Sequence, residues 1–353
     1  MTGPEVACVG ETMVVLAPAA PTPLEHADRL AVGVGGAESN VAMGLARLGH
    51  RAAWVSRVGD DPFGRRVLRE VAAAGVDTTL VTVDPAAPTG VYLKDPGPDG
   101  TRVHYHRAGS AASRLTARAL DDPRLAGVRL LHLTGITPAL SRGCRDLVEH
   151  ALTARPLPAA RISFDVNHRP RLWPVRRAAP VLRDLADRAD VVLVGLDEAA
   201  ALWGVTAPFA VRALLPGPDL VVVKDGPIGA TALPRTGAGV FVPALPAPVR
   251  EPVGAGDAFA AGFLAGLLRG LDLPACLRLG HLTAVPALAA AGDTAPPPDP
   301  AWTARALALP DARWATLVPG AAFPADPPAR ETGGGHGAAE HAAGSGHGGG
   351  STR

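Results

Sequence analysis

The chain has 353 residues, 47% of them hydrophobic and 19% charged, with 34 basic and 33 acidic side chains for a formal net charge of +1. This suits one large α/β domain or two smaller ones with a substantial core. The charge balance leaves no polybasic arm or acidic tail, so nucleic-acid binding by bulk electrostatics is excluded as an expectation. The three cysteines, Cys8, Cys144 and Cys276, are odd in number and far apart, which fits reduced thiols in the cytoplasm and not a disulfide framework or a zinc site.

The N-terminal "VACVGETMVVLAP" is apolar, but it has no basic lead-in and carries Glu11 in its middle, so it predicts a strand rather than a signal peptide. No uncharged apolar run reaches the length of a membrane span. In "VGVGGAESNVAMGLARLG", Gly33, Gly35 and Gly36 precede a helix expected over 38–49. A dinucleotide fingerprint would need glycine where Glu38 stands, so Gly35 and Gly36 are read as room for a small ligand, with Asn40 supplying paired donor and acceptor groups. "AAWVSRVG" (52–59) predicts a strand and "FGRRVLREVAAAG" (63–75) a helix. "TGVYLKDPGPDGTRVHYHR" (89–107) alternates at period two on both sides of a Pro/Gly/Asp turn, the pattern of a β-hairpin that is either a lid or a surface excursion.

Further strands are expected at 128–135, 161–167, 190–195 and 219–226, with a helix at 179–189. Near-continuous apolar strands alternating with helices predict a parallel sheet buried on both faces, in a doubly wound α/β/α layer. In "RISFDVNHRPRLW", Asp165, Asn167 and Arg169 alternate, which would point all three the same way at a strand's carboxyl end, as site residues or as a structural Asp–Arg pair. "DLVVVKDGPIGA" ends a strand in Lys224 and Asp225 and adds a loop with Gly226 and Gly229, a candidate nucleotide border that is not a Walker loop.

"EPVGAGDAFAAGFLAG" places Gly254, Ala255, Gly256 and Asp257 at the start of an Ala/Leu helix. The glycines would let backbone N–H groups approach a phosphate, with the positive end of the helix dipole behind them and Asp257 placed to take a proton; simple capping of the helix is the other reading. After Asp293 the pattern fades into a Pro/Ala-rich extension (296–330) and a Gly/His-rich tail (331–353) expected to be disordered, where His336, His341 and His347 belong to low complexity. In so biased a composition the scarce types are informative. The chain holds two Asn (Asn40, Asn167), two Lys (Lys94, Lys224) and two Tyr (Tyr92, Tyr105), all in or beside the motifs above.

In this order the motifs resemble the ribokinase-like family of ATP-dependent carbohydrate kinases, over about Val6 to Asp293. "GETM", "GGAESN", "RAGSAAS" and "DVNHRPRLW" are most similar to 2-keto-3-deoxygluconate kinases, and fructokinases share several of these features. The resemblance implies a three-layer α/β/α sandwich within residues 1–295, with a small β-sheet lid made of the 89–107 hairpin and parts of 11–35. It implies ATP and Mg²⁺ as cofactors, with Asp257 as the base and Gly254, Ala255 and Gly256 holding the transferring phosphate. Lys224, Asp225, Gly226, Gly229 and His281 would border the nucleotide. Gly35, Gly36, Asn40, Tyr92, Tyr105, Arg107, Asn167, Arg169 and Asp293 would face the sugar, with Arg107 and Arg169 as a two-sided clamp for a carboxylate. Where the family has Asn-x-x-Glu near the magnesium, "GLDE" keeps only Glu198. Glu251-Pro252 replaces the usual Asp-Thr, which leaves a monovalent cation undecided. A homodimer or higher homo-oligomer through the lid is the implied assembly, with no nucleic-acid or membrane partner. A non-catalytic sugar- or nucleotide-sensing relative is the reading from another class.

Overall fold

The computed structural model describes residues 3–20, 22–98, 100–250, 253–290 and 292–319. Its strands are β1 (Val6–Val9), β2 (Met13–Pro18), β3 (Leu30–Gly35), β4 (Ala52–Gly59), β5 (Val81–Asp84), β6 (Val91–Gly97), β7 (Gly100–His106) and β8 (Leu130–Thr134), followed by β9 (Arg161–Asp165), β10 (Val191–Gly195), β11 (Leu220–Asp225), β12 (Gly229–Pro234) and β13 (Val240–Pro243). They form two sheets. The large one has the order β13-β12-β11-β10-β9-β8-β1-β4-β5, and from β11 to β5 neighbouring strands run parallel.

Parallel strands covered on both faces cannot alternate, and Val191, Val192, Leu193 and Val194 of β10 are all fully buried. Helices Pro62–Ala73, Arg142–Ala154 and Val175–Asp187 follow strands of this sheet and pack against it, and helix Ala37–Arg47, which follows β3, packs on β1 and β4, as an α/β/α sandwich requires. The small sheet has the order β3-β2-β6-β7. Its core is Met13, Val15 and Tyr92, the residues that alternation puts on one face of β2 and β6.

One expectation needs correction. The alternation of Asp165, Asn167 and Arg169 does not continue along a strand: β9 stops at Asp165, and Asn167 adopts a left-handed backbone with φ 39°. Asn tolerates that region better than most residues, so the side chain is aimed by a turn and not by a pleat. The glycine loop after Lys224 stands at the end of β11. It is the turn of the antiparallel β11–β12 hairpin, where the parallel run ends.

The Pro/Ala-rich extension shows more order than its pattern predicts. Helices Pro300–Leu307 and Asp311–Trp314 bury Ala306 and Trp314, Leu317 is buried just beyond them, and the Trp314 indole N–H donates to the Pro243 carbonyl at 3.0 Å. One large aromatic side chain supplies the anchor that the flanking Ala and Pro cannot. Glu251, Pro252 and the Gly/His-rich tail lie outside the described residues. Among the described residues, no helix is long and apolar enough to cross a membrane.

Candidate active site

A cleft of about 660 Å³ opens at the carboxyl ends of the parallel strands, between the two sheets. Asn40, Asn167, Arg169, Lys224, Gly254, Gly256 and Asp257 line it, together with Gly35, Gly36, Tyr92, Tyr105, Arg107 and Asp293. Residues predicted from six separate stretches of sequence thus share one cavity.

Asp257 sits in the first turn of helix Ala255–Leu268 and is buried. The Asn40 amide donates to its Oδ2 at 2.9 Å, and the Asn167 amide approaches Oδ1 at 3.5 Å. Burial penalises the carboxylate and pushes its pKa up to about 7, against the hydrogen bond from Asn40 and the charges of Arg169 and Lys224, which favour ionisation. A carboxylate poised there is ionised often enough to accept a proton and basic enough to hold it. The N-cap is Gly254, at φ 87° and with no side-chain cap, so the helix start keeps its N–H groups for another acceptor. A Cβ at Gly254 would collide with the Asp293 backbone carbonyl, which makes glycine obligatory twice over. Ala255 opens the helix but does not itself line the cleft.

On the small-sheet side, Asp293 accepts from the Tyr92 hydroxyl at 2.8 Å and from Lys94 Nζ at 3.0 Å, all three groups being buried. Gly35 lies under this knot, and a Cβ there would meet both the Tyr92 hydroxyl and the Asp293 carboxylate, so the glycine makes room for the protein's own side chains as well as for a ligand. Tyr105 packs on Tyr92 with ring centroids 5.7 Å apart, and the Arg107 guanidinium lies 5.6 Å from the Tyr105 ring centre.

The clamp of Arg107 and Arg169 is asymmetric. Arg107 is already held by Glu11: its Nε donates at 2.7 Å and its Nη2 makes an ion pair to the same carboxylate oxygen, while Ser110 donates to the other. Arg169 has no carboxylate within ion-pair distance among the described residues, although the fields of Asp257 and Glu198 reach it. Sequence reasoning missed Glu11 as a site residue. The signal was a lone acid inside an apolar run. Because both partners are nearly fully buried, Glu11→Gln leaves the Arg107 charge uncompensated, and we expect chemical denaturation to register a loss of roughly 3 kcal/mol; a change below about 0.5 kcal/mol would mean that solvent, not Glu11, satisfies Arg107.

Towards the β11 end, Lys224 Nζ donates to Asp165 Oδ2 at 2.8 Å. Burial opposes its charge, yet Asp165 and Glu198 together hold the ammonium above its ordinary range. Both oxygens of Glu198 accept backbone N–H groups, from His168 and Gly195 at 2.9 Å each, so this residue first of all fixes two loops. Among the described residues no group of three or more His, Cys, Asp or Glu could cage a metal. Asp165, Asp197 and Glu198 nevertheless line the cleft, and Asp165 Oδ1 is buried without a hydrogen-bond partner. That donor set fits Mg²⁺ carried by nucleotide phosphates and contacted through water, the usual habit of this ion.

Three nucleotide-side predictions fall away from the cleft. His281 is buried in helix Leu273–Ala289, its Nε2 against the Val242 carbonyl at 3.1 Å and its ring edge-on to Phe259. Burial pushes its imidazole down to about 4, so it is a neutral core residue. Asp225 and Gly229 pair with each other across the hairpin and do not line the cleft, whereas Gly226 at the turn does.

The model of the pfkB family carbohydrate kinases matches residues 4–300. A protein of Bacillus subtilis named 2-dehydro-3-deoxygluconokinase is 36% identical over 275 residues, 76% of this chain and 85% of the relative. The crystal structure of a PfkB protein from Polaromonas sp. JS666, 38% identical, superposes with a TM-score of 0.74 over 80% of this chain and 95% of that one. A sugar kinase of Pyrococcus horikoshii in complex with ATP is 25% identical, with a TM-score of 0.72 over 82% and 93% of the two chains.

Proposed function

This chain belongs to the pfkB family of carbohydrate kinases, and from that membership we propose that it transfers the γ-phosphate of ATP to the terminal hydroxyl of 2-keto-3-deoxygluconate, giving the 6-phosphate. The observation that carries this reading is a base tuned to about 7, Asp257, facing a cleft whose cation Arg169 has no carboxylate of its own. A keto-deoxy acid brings both a hydroxyl to be deprotonated and a carboxylate to be paired. Relatives named for this sugar acid support the choice.

In this mechanism Asp257 takes the hydroxyl proton as the oxygen attacks the γ-phosphorus, and ADP leaves on the opposite side. Asn40 and Asn167 hold the Asp257 carboxylate in line. The buried Asn40 Oδ1, which has no hydrogen-bond partner, is an acceptor for a second sugar hydroxyl. The N–H groups at Gly254, Ala255 and Gly256 neutralise charge on the phosphoryl group in flight, and Lys224 stands beside the phosphates. Mg²⁺ on the nucleotide would be held through Glu198, Asp165 and Asp197, and would supply countercharge to the phosphates. The kinase domain in this reading is residues 1–295, with the small sheet as its lid. Exposed Leu30 and Val32 on the β3 edge support a homo-oligomer through that lid.

An ADP-release assay over 2-keto-3-deoxygluconate, fructose and ribose tests the assignment. The sugar acid should give the highest kcat/KM, and Arg169→Ala should raise its KM by about thirtyfold while changing that for fructose by less than about threefold, as loss of a charged hydrogen bond predicts. Preference for fructose would make the chain a fructokinase, and no ADP release with any sugar would favour a sensing relative.

A further inference from the structure

A second cavity, of about 440 Å³, lies away from the cleft and is lined by four arginines, Arg57, Arg114, Arg118 and Arg124, against the single carboxylate of Asp122. Arg124 is committed to Asp122 at 2.6 Å and to the Thr79 hydroxyl at 3.1 Å. Arg57 and Arg114 share one outside carboxylate, that of Asp84, at 2.9 and 3.5 Å. The Arg57 Nε is buried with no hydrogen-bond partner, and Arg118 makes no ion pair among the described residues. The wall therefore carries guanidinium donors in excess of the acceptors that the chain provides. Guanidinium groups converging from several sides match the tetrahedral oxygens and double charge of a phosphate.

We propose that this cavity is a second anion site, taking a small phosphorylated metabolite between Arg57, Arg114 and Arg118, and that its occupancy tunes the small sheet. The connection runs through Asp84. This residue ends β5, the last strand before the chain enters β6, and Arg114 ends the short helix Ala112–Arg114 that the chain forms after leaving β7. Asp84 thus ties together the entry and exit of the β6–β7 hairpin, and the Ala111 N–H adds a second tie by donating to the Pro88 carbonyl at 2.8 Å. Arg107, Tyr92 and Tyr105, which face the cleft, all lie between these two roots. An anion that draws Arg57 and Arg114 away from Asp84 loosens the roots and makes the hairpin less ready to hold sugar. This half of the proposal rests on the small sheet being a lid over a sugar site, whereas the binding half does not.

Calorimetric titration of the full chain with inorganic phosphate, for wild type, Arg118→Glu and Arg118→Gln, tests the binding. Arg118 is exposed, so neither change disturbs the core. Wild type should show two classes of phosphate site, the cleft and this cavity, and Arg118→Glu only one. Arg118→Gln should weaken the second class at least threefold. At saturating ATP, phosphate should raise the sugar KM of wild type about fivefold and leave that of Arg118→Glu unchanged, with both proteins equal in its absence. Identical titrations for wild type and both variants would overturn the site, as would malonate binding to it as tightly as phosphate. A wild-type KM that ignores phosphate would overturn the link to the small sheet.

Discussion

Asp257→Asn should lower kcat about a thousandfold while leaving sugar affinity, measured by calorimetry, within about threefold of wild type. The amide keeps the shape of the side chain and its hydrogen bond with Asn40, with the two amides turned to suit, so the cleft stays formed. What it loses is a lone pair basic enough to take the hydroxyl proton. The pH profile gives a second check. With the wild-type carboxyl pushed up to about 7 by burial, kcat/KM should rise with pH through about 7 and level off above it, because only the ionised form is a base. The residual rate of the variant should lack that rise. Turnover near the wild-type rate would assign the base elsewhere.

Stability should move the other way. The folded-state pKa of Asp257 lies above its ordinary 3.8, so between those values the native chain holds a proton that the unfolded chain has released. Stability from this group therefore falls as pH rises from about 4 to about 7, and the loss is constant above that. The Asn variant escapes it. It should melt about 3 °C higher than wild type at pH 8, with the difference vanishing towards pH 4. An inactive protein that is also more stable is the signature of a charge buried for chemistry.

How much of this was legible in the sequence follows the range of each interaction. The parallel strands were readable because full burial writes itself as a run such as Val191–Val194, and the β6–β7 hairpin because its turn residues and alternation are local. The GAGD start was readable for the same reason. The pairing of Glu11 with Arg107, 96 residues apart, and of Tyr92 with Asp293, 201 apart, leaves no local trace: Glu11 in its apolar run and the scarce Tyr92 stand out singly, but nothing nearby names the partner of either. His281 misled because a histidine among apolar helix residues reads alike whether it meets a nucleotide or a backbone carbonyl. Asn167 was assigned to the site by an argument about strand pleating that does not apply to it; it lines the cleft because a left-handed turn sends it there.

Gly254→Ala should cost about a hundredfold in kcat, with a clear fall in melting temperature, and its effect should spread beyond the phosphate cradle. At φ 87° an alanine carries about 1 kcal/mol of backbone strain before any contact is considered. Its methyl group would also strike the Asp293 carbonyl, and backbone cannot swing aside as a side chain can. Either the helix start tilts, misaiming N–H groups that must lie within hydrogen-bond distance of a phosphoryl oxygen, or Asp293 retreats. Asp293 is also the residue that Tyr92 and Lys94 grip from β6, so its retreat slackens the hold on the small sheet. The two routes differ in steady-state kinetics. Tilting lowers kcat at unchanged sugar KM, while retreat raises KM as well. In both cases the midpoint of the pH profile should stay near 7, because the burial that raises it persists and the neighbours that oppose it, Asn40, Arg169 and Lys224, are not touched by the methyl group. Wild-type kcat in this variant would mean that the phosphoryl group is held somewhere other than this helix start.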